Sequence, residues 1–291
     1  MSAGVCDASS LNGFVDLEFA RRLEMAETML PECVEALKAH NPLAPIAAAS
    51  IAGGTAYFGG RDYPANQIVG LGLYGEVSAK ALDEVEEFYR SRRVPSTLVV
   101  SPMADSSLLA LLAERKYRIA EFNSVLIRPI SDDEPFVPPP GITVEPVTAA
   151  STADWARAVA RGFSEHFPVP EETFAGMPSL PGALAYLARV DGVVAGGAAG
   201  RIIPQARIAA LYGAATLPEY RRRGIQTALI ARRLHDAAVA GCEFAVVSTQ
   251  PGSGSQRNME RRGFRVAYTK VVMVRQWPEL AEPAPEGVNG H

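Results

Sequence analysis

Residues 219–228 read Glu-Tyr-Arg-Arg-Arg-Gly-Ile-Gln-Thr-Ala, a basic glycine turn set between an apolar strand and an amphipathic helix. Upstream, Arg207 to Tyr212 (Arg-Ile-Ala-Ala-Leu-Tyr) has the composition of a strand. Downstream, Leu229, Ile230, Leu234, Ala237 and Ala238 recur at helical spacing. The first-turn amides of a helix have no partner within it and point at whatever precedes them. With the helix dipole and three arginines alongside, such a start favours a bound pyrophosphate. Gly224 removes the Cβ that would obstruct a close backbone approach or a positive φ.

After this helix come a short apolar strand, Phe244 to Ser248, a Gly/Ser loop, the run Ser255-Gln256-Arg257-Asn258-Met259-Glu260-Arg261-Arg262-Gly263-Phe264, and a final strand, Val266 to Arg275. This order of elements resembles the GNAT acetyltransferase superfamily. Its Gln/Arg-x-x-Gly-x-Gly/Ala signature falls on Arg221 to Gln226, with Gln226 standing where glycine or alanine is usual. The resemblance implies that the strand before the turn splays away from the next one, and that the pantetheine arm of acetyl-CoA lies in the gap like an added strand. Ala215, Thr216 and Leu217 would line that gap with their backbone. The amides of Arg222, Arg223, Gly224, Ile225, Gln226, Thr227 and Ala228 would take the pyrophosphate. Ser255-Gln256-Arg257 and Glu260-x-x-Gly263-Phe264 look like the Ser-x-Arg and Glu-Lys-x-Gly-Phe run of ribosomal-protein and peptide acetyltransferases, which puts Ser255 and Arg257 at the cofactor. The tyrosine that protonates the departing CoA thiolate in many members falls on Met259, which has no proton to give.

At 291 residues with 48% hydrophobic side chains, the chain is long enough for two modest cores. A formal net charge of -4 gives no global attraction to nucleic acid or to an anionic membrane, so the arginine cluster is a local feature. No run of 18 apolar residues occurs and the N-terminus lacks the pattern of a secretory signal, so a cytoplasmic location is expected. Cys6, Cys33 and Cys242 share no metal or redox spacing, and no metal site is expected.

Ser131 to Gly141, acidic at first and carrying Pro135, Pro138, Pro139 and Pro140, reads as an extended spacer. The first half repeats the second. Val99-Val100-Ser101, Ser106, Arg115, Tyr117-Arg118-Ile119-Ala120, Val125 and Arg128 align without a gap on Val246-Val247-Ser248, Ser253, Arg262, Phe264-Arg265-Val266-Ala267, Val272 and Arg275. Further upstream, Leu73-Tyr74-Gly75 matches Leu211-Tyr212-Gly213, but the first copy is shorter by the length of the phosphate turn. It runs from Glu76 and Val77 almost directly into Ser78, an N-cap for a helix over Ala79 to Ser91.

The expected fold is therefore α/β (α+β), with two GNAT-like domains, each a mixed, mostly antiparallel twisted sheet flanked by helices. Residues 1–130 form a degenerate domain without a phosphate loop, 131–141 a linker, 142–278 the acetyl-CoA-binding domain, and 279–291 a flexible tail. Ile142 to Pro146 opens the second domain as a strand, Ala153 to Phe163 follows as a helix, and Asp191-Gly192 turns a hairpin between Ala183 and Ile202. The family likeness places acceptor choice in the stretch from Ser164 to Met177.

The activity implied is transfer of an acetyl group from acetyl-CoA to a primary amine of a small molecule or peptide, by direct attack with no covalent enzyme intermediate. Glu165 and His166 are the candidate bases, and Tyr212 and Tyr268 the candidate acids in place of Met259. The alternative is a non-catalytic acyl-CoA sensor or interaction module. No nucleic-acid or membrane partner is expected, and the chain would be a monomer built as a pseudo-dimer, or a homodimer.

Overall fold

The computed structural model describes residues 15–164 and 169–280. Helices α1 (Leu17–Glu24) and α2 (Pro31–His40) open it, followed by strands β1 (Ala47–Ile51), β2 (Gly54–Phe58) and β3 (Ile68–Val69). Helix α3 (Ala79–Arg90), β4 (Ser96–Val100), α4 (Ser106–Glu114) and β5 (Arg118–Pro129) complete the first half. The second half runs β6 (Ile142–Pro146), α5 (Thr152–Phe163), α6 (Glu172–Ala175), β7 (Tyr186–Val190), β8 (Val193–Ile203) and β9 (Ile208–Thr216). It ends with α7 (Ile225–Val239), β10 (Phe244–Thr249), α8 (Gly254–Glu260) and β11 (Arg265–Arg275).

Two compact units emerge, and each is assembled from both halves of the chain. Of the described residues, the first holds 15–46, 122–164 and 169–270, and the second holds 47–121 together with 271–280. The expected division at 131–141 is not the one observed. Residues 124–129 of β5 pair antiparallel with β10. Residues 271–275 of β11 pair instead with β4. The repeat explains why such an exchange is possible: the two final strands carry the same alternation, so either fits beside either penultimate strand.

In the first unit the strand order is β5-β10-β9-β8-β7-β6. Only β9 and β10 run parallel; the other neighbouring pairs are antiparallel. The β7–β8 hairpin turns on Asp191 and Gly192, both at positive φ, as the dipeptide predicts. One face packs α7 (Ile225, Leu229, Ile230, Leu234) against Leu211, Ala245 and Val247. A second cluster joins Trp155 and Val159 of α5 to Leu187 and Ala199. Helix α1 belongs to this unit: Arg22 bonds Glu243 at 2.5 Å and the Ala206 carbonyl at 2.9 Å, and Phe19 meets Phe244 edge-on at 5.1 Å.

Residues 131–141 do not hang free as a spacer. Glu134 is buried and ion-paired with Arg128 at 2.8 Å, its carbonyl lies 2.8 Å from His235 Nδ1, and Arg232 covers the Phe136 ring at 5.3 Å. The segment is docked on α7 by polar and aromatic contacts that its proline content does not reveal. Of the expected tail, Glu279 is held by Arg90 within the second unit at 2.6 Å, and residues 281–291 lie outside those described.

In the second unit the order is β1-β2-β3-β4-β11. Leu82, Val85 and Tyr89 of α3 pack with Leu108 and Leu112 of α4 on Leu98 and Val100. Ser78 caps α3 as expected, its hydroxyl accepting from the Ala81 amide at 3.2 Å. Ser78→Ala is expected to lower stability by about 1 kcal/mol in urea titration, the usual worth of such a cap.

Candidate functional site

Strands β9 and β10 pair only over Ile208–Phe244, Ala209–Ala245 and Ala210–Val246. Beyond that point β9 continues to Thr216 and β10 to Thr249 with no mutual register among the described residues, so a gap opens between them. At the same level the β8–β9 ladder slips. Ala199 faces Tyr212 but Gly197 faces Ala215, which leaves Gly213 and Ala214 opposite Ala198 alone. This is a β-bulge with Gly213 at φ +56°, a conformation that suits glycine and increases the local twist of β9. The carbonyls disturbed by the bulge are satisfied from both faces: Trp155 Nε1 donates to Ala198 O at 3.3 Å and Arg233 Nη1 to Ala199 O at 2.7 Å.

Ala215 and Thr216 pair with β8 on one side and border the gap on the other. Leu217 does not serve this way. Its amide donates to Ala195 O and its carbonyl accepts from Tyr220 N, both at 2.9 Å, so its backbone is already used in turning the chain.

The turn that follows delivers the start of α7. Arg222 is at φ +63° and Gly224, the N-cap, at +88°. No side chain caps the helix and no acidic residue lies in its first turn. Ala228 N bonds Gly224 O, the first rung of the helix, so the amides of Ile225, Gln226 and Thr227 precede the internal ladder and face outward. Arg221, Arg222 and Arg223 are exposed around them, with the Arg223 guanidinium over the Tyr220 ring at 5.4 Å. A Cβ on Gly224 would also come within 3.3 Å of Pro139 Cγ, so the turn packs against the docked 131–141 segment.

Gln226 and Thr227 line a polar cleft with Ile230, Asn258, Arg261 and Arg262. Asn258 Nδ2 donates to Gln226 Oε1 at 2.6 Å, so the residue that departs from the glycine turn signature is built into the cleft wall. Asn258, Arg261 and Arg262 are missed by the motif reading, although the Arg-Arg pair before Gly263 is the signal that could have found them. Ser255 and Arg257 are exposed on α8, and the lining of this cleft does not include them.

The acid–base candidates fare differently. Glu165 and His166 lie outside the described residues. Tyr212 is half-buried against the α5 cluster, on the strand edge where the gap begins. Tyr268 is buried and donates its hydroxyl to Glu24 at 2.7 Å. Burial first, and then the neighbouring Glu24 carboxyl, push its pKa far above the usual tyrosine range, so its proton is held within this cluster. Met259 sits in the α7 core, where it fills space among apolar neighbours.

Tyr268 belongs to a polar cluster with no local sequence signature. Lys270 Nζ lies 2.5 Å from Glu27 Oε2 and 3.4 Å from Glu24 Oε2, and the Ser248 hydroxyl donates to Glu27. Burial raises the Glu24 pKa more strongly than Lys270 and the Tyr268 hydroxyl lower it. At Glu27 burial also acts upward, but the charge and hydrogen bond of Lys270, helped by Ser248, outweigh it and the pKa is lowered. Lys270 is raised by the same carboxylates against its own desolvation. Ser248 lies two residues beyond the last β9–β10 pair, so the exposed end of this cluster opens beside the gap.

Among the described residues no helix is long and apolar enough to cross a membrane. Residues 151–264 match the model of the acetyltransferase (GNAT) family. None of the proteins of curated function matches the chain. Among solved structures, a GCN5-related N-acetyltransferase from Kribbella flavida is 19% identical with a TM-score of 0.61, over 89% of this chain and 97% of that one. A GCN5-related N-acetyltransferase from Sphaerobacter thermophilus is 17% identical with a TM-score of 0.54, over 88% and 92%. A tandem GNAT protein from the clavulanic acid biosynthesis pathway is 15% identical with a TM-score of 0.52, over 70% of each chain. At these identities the likeness is one of fold.

Proposed function

We propose, from the match of residues 151–264 to the acetyltransferase (GNAT) family model, that the chain transfers an acetyl group from acetyl-CoA to a primary amine of a small molecule or peptide. The observation that carries the reading is the coincidence of the uncapped α7 start with the gap between β9 and β10. The amides of Ile225, Gln226 and Thr227, with Arg222 and Arg223, suit the pyrophosphate. Arg261, Arg262 and Asn258 of the adjoining cleft suit the remaining polar groups of the nucleotide. The free edge of Ala215 and Thr216 suits the pantetheine amides, in the manner of an added strand.

Acetyl-CoA supplies an activated acyl group as a thioester. A deprotonated acceptor amine adds to the thioester carbonyl, forming the C–N bond and a tetrahedral oxyanion; its collapse breaks the C–S bond, the electron pair leaves with sulfur as the CoA thiolate, and the proton lost by the nitrogen passes through solvent to the thiolate. In this reading backbone donors at the bulge would receive the oxyanion of the tetrahedral intermediate. Within this reading residues 47–121 represent a degenerate copy of the same fold. Ser78 caps α3 where α7 is left open, which supports the loss of the anion site from that copy. The protein would work in the cytoplasm, as a pseudo-dimer in one chain.

Titration calorimetry with acetyl-CoA tests the reading. Arg222→Glu, an exposed charge reversal beside the turn, is expected to weaken binding at least about tenfold at low salt, since it replaces an attraction by a repulsion. A folded wild-type protein that gives no heat with acetyl-CoA would refute the assignment. A second reading, an acyl-CoA sensor without turnover, is favoured by the burial of Met259 and by the engagement of the Tyr268 hydroxyl. Release of free thiol from acetyl-CoA in the presence of an amine panel separates the two.

A further inference from the structure

Arg233, in the middle of α7, is 1% exposed and carries a guanidinium with no ion-pair partner among the described residues. Its neighbours are carbonyls instead. Nε donates to Leu229 O at 3.1 Å, and Nη1 to Ala199 O at 2.7 Å and, more weakly, to Tyr212 O at 3.4 Å. Nη2 is buried without a partner among these residues. Burying a cation without its counter-ion costs several kcal/mol, and a helix that needed only packing at this position could use leucine. Desolvation draws the pKa down to about 10, so the side chain remains charged at neutral pH.

The location suggests what offsets that cost. Ala199 and Tyr212 are the last residues of β8 and β9 in register before the bulge, and Tyr212 lies two residues past the last β9–β10 pair. The guanidinium therefore holds the carbonyls at the point where the ladder breaks and the gap opens. Its bond to Tyr212 O polarises the Tyr212–Gly213 peptide, whose N–H lies in the bulge. In a low-dielectric interior a fixed positive charge there acts strongly on any oxygen that gains negative charge nearby.

We propose that Arg233 is a positioning residue for acyl transfer, fixing the bulge of β9 and polarising, through it, the thioester carbonyl of a bound acyl-CoA. The inference rests on the acetyl-CoA reading above and deepens it. It differs from a purely structural clamp in one respect: a clamp would affect CoA and acetyl-CoA alike, whereas polarisation concerns only the acyl carbonyl.

The carbonyl stretch of acetyl-CoA labelled with carbon-13 at the acyl carbon, followed by infrared difference spectroscopy on the intact protein, provides the test. In the wild type the bound band is expected at lower frequency than in free acetyl-CoA. In Arg233→Met and Arg233→Gln, checked for folding by circular dichroism, the band should return to the free position while the affinity for CoA itself stays within about threefold. A folded neutral variant with the wild-type band overturns the inference and leaves the acetyl-CoA reading standing. Parallel loss of CoA affinity and band shift in a folded variant also overturns it, because it assigns Arg233 to scaffolding alone. If neither neutral variant folds, Arg233→Lys decides: its shorter side chain withdraws the cation from Tyr212, the band must move toward the free value, and an unmoved band overturns the inference. A folded wild type that binds no acetyl-CoA removes the functional reading and this inference together.

Discussion

Gly224→Val is expected to reduce acetyl-CoA affinity at least about a hundredfold, equivalent to about 2.7 kcal/mol, while leaving a cooperative thermal transition. Gly224 occupies the left-handed region at φ +88°, which costs an L-residue about 1–2 kcal/mol, and a β-branched side chain fits it worst. The new Cβ would also press on Pro139 at 3.3 Å. The turn can relieve both only by moving, and the amides of Ile225 to Thr227 move with it. Each charge-assisted hydrogen bond to phosphate lost in this way is worth about 1.5–3 kcal/mol, so displacing two already exceeds the stated effect. Calorimetry on wild type and variant at one salt concentration checks it; unchanged affinity in a folded Gly224→Val protein would remove the turn from the binding site.

Lys270→Ala is expected to produce the largest loss of stability, about 3–5 kcal/mol near pH 8, because it leaves two carboxylates without their shared cation. The pH dependence has a definite sign. In the wild type Glu24 is raised, so its contribution is fully present below its unfolded pKa and is lost as pH rises through the folded one. Glu27 is lowered, so its contribution is present above its unfolded pKa and is lost as pH falls through the folded one. These trends oppose each other. Without Lys270 the chief cause of the Glu27 depression is gone, and both carboxyls favour the protonated form in the folded state. The folded variant then binds more protons than the unfolded chain, and its deficit must shrink from pH 8 toward pH 5. Urea unfolding of both proteins at the two pH values measures this; a deficit that stayed constant or grew on acidification would contradict the cluster as described.

Local chemistry in the chain fixes much of the site. A basic run ending in glycine and followed by helical periodicity locates the start of α7, Asp191-Gly192 locates the hairpin, and Ser78 locates the first turn of α3, because each depends on residues within a few positions of one another. The parts that escape reading depend on distant partners. Glu24 falls among Ala20 and Leu23 on the buried side of α1, and nothing near it in sequence announces Tyr268 and Lys270. Arg233 occupies a core position of α7 that apolar periodicity fills with a hydrophobic residue. The bulge at Gly213 escapes because the strand pattern ends at Tyr212, whereas β9 runs on to Thr216 and the slip depends on its pairing with β8. The strand exchange is concealed by the repeat itself: two segments with the same alternation cannot be told apart by pattern, and only pairing decides between them.

Strand β11 bears on the history of the chain. Its first residues carry Tyr268 and Lys270 into one unit and its last ones supply the edge beside β4 in the other. A gene fragment encoding residues 142–291 would retain the arginine turn yet lack Glu24, Glu27, Phe19 and the β5 segment that flanks β10. The complementary fragment would miss its own border strand. Because each unit is assembled from both halves of the chain, neither half can be shed, shuffled or inherited separately, and each is retained with the other.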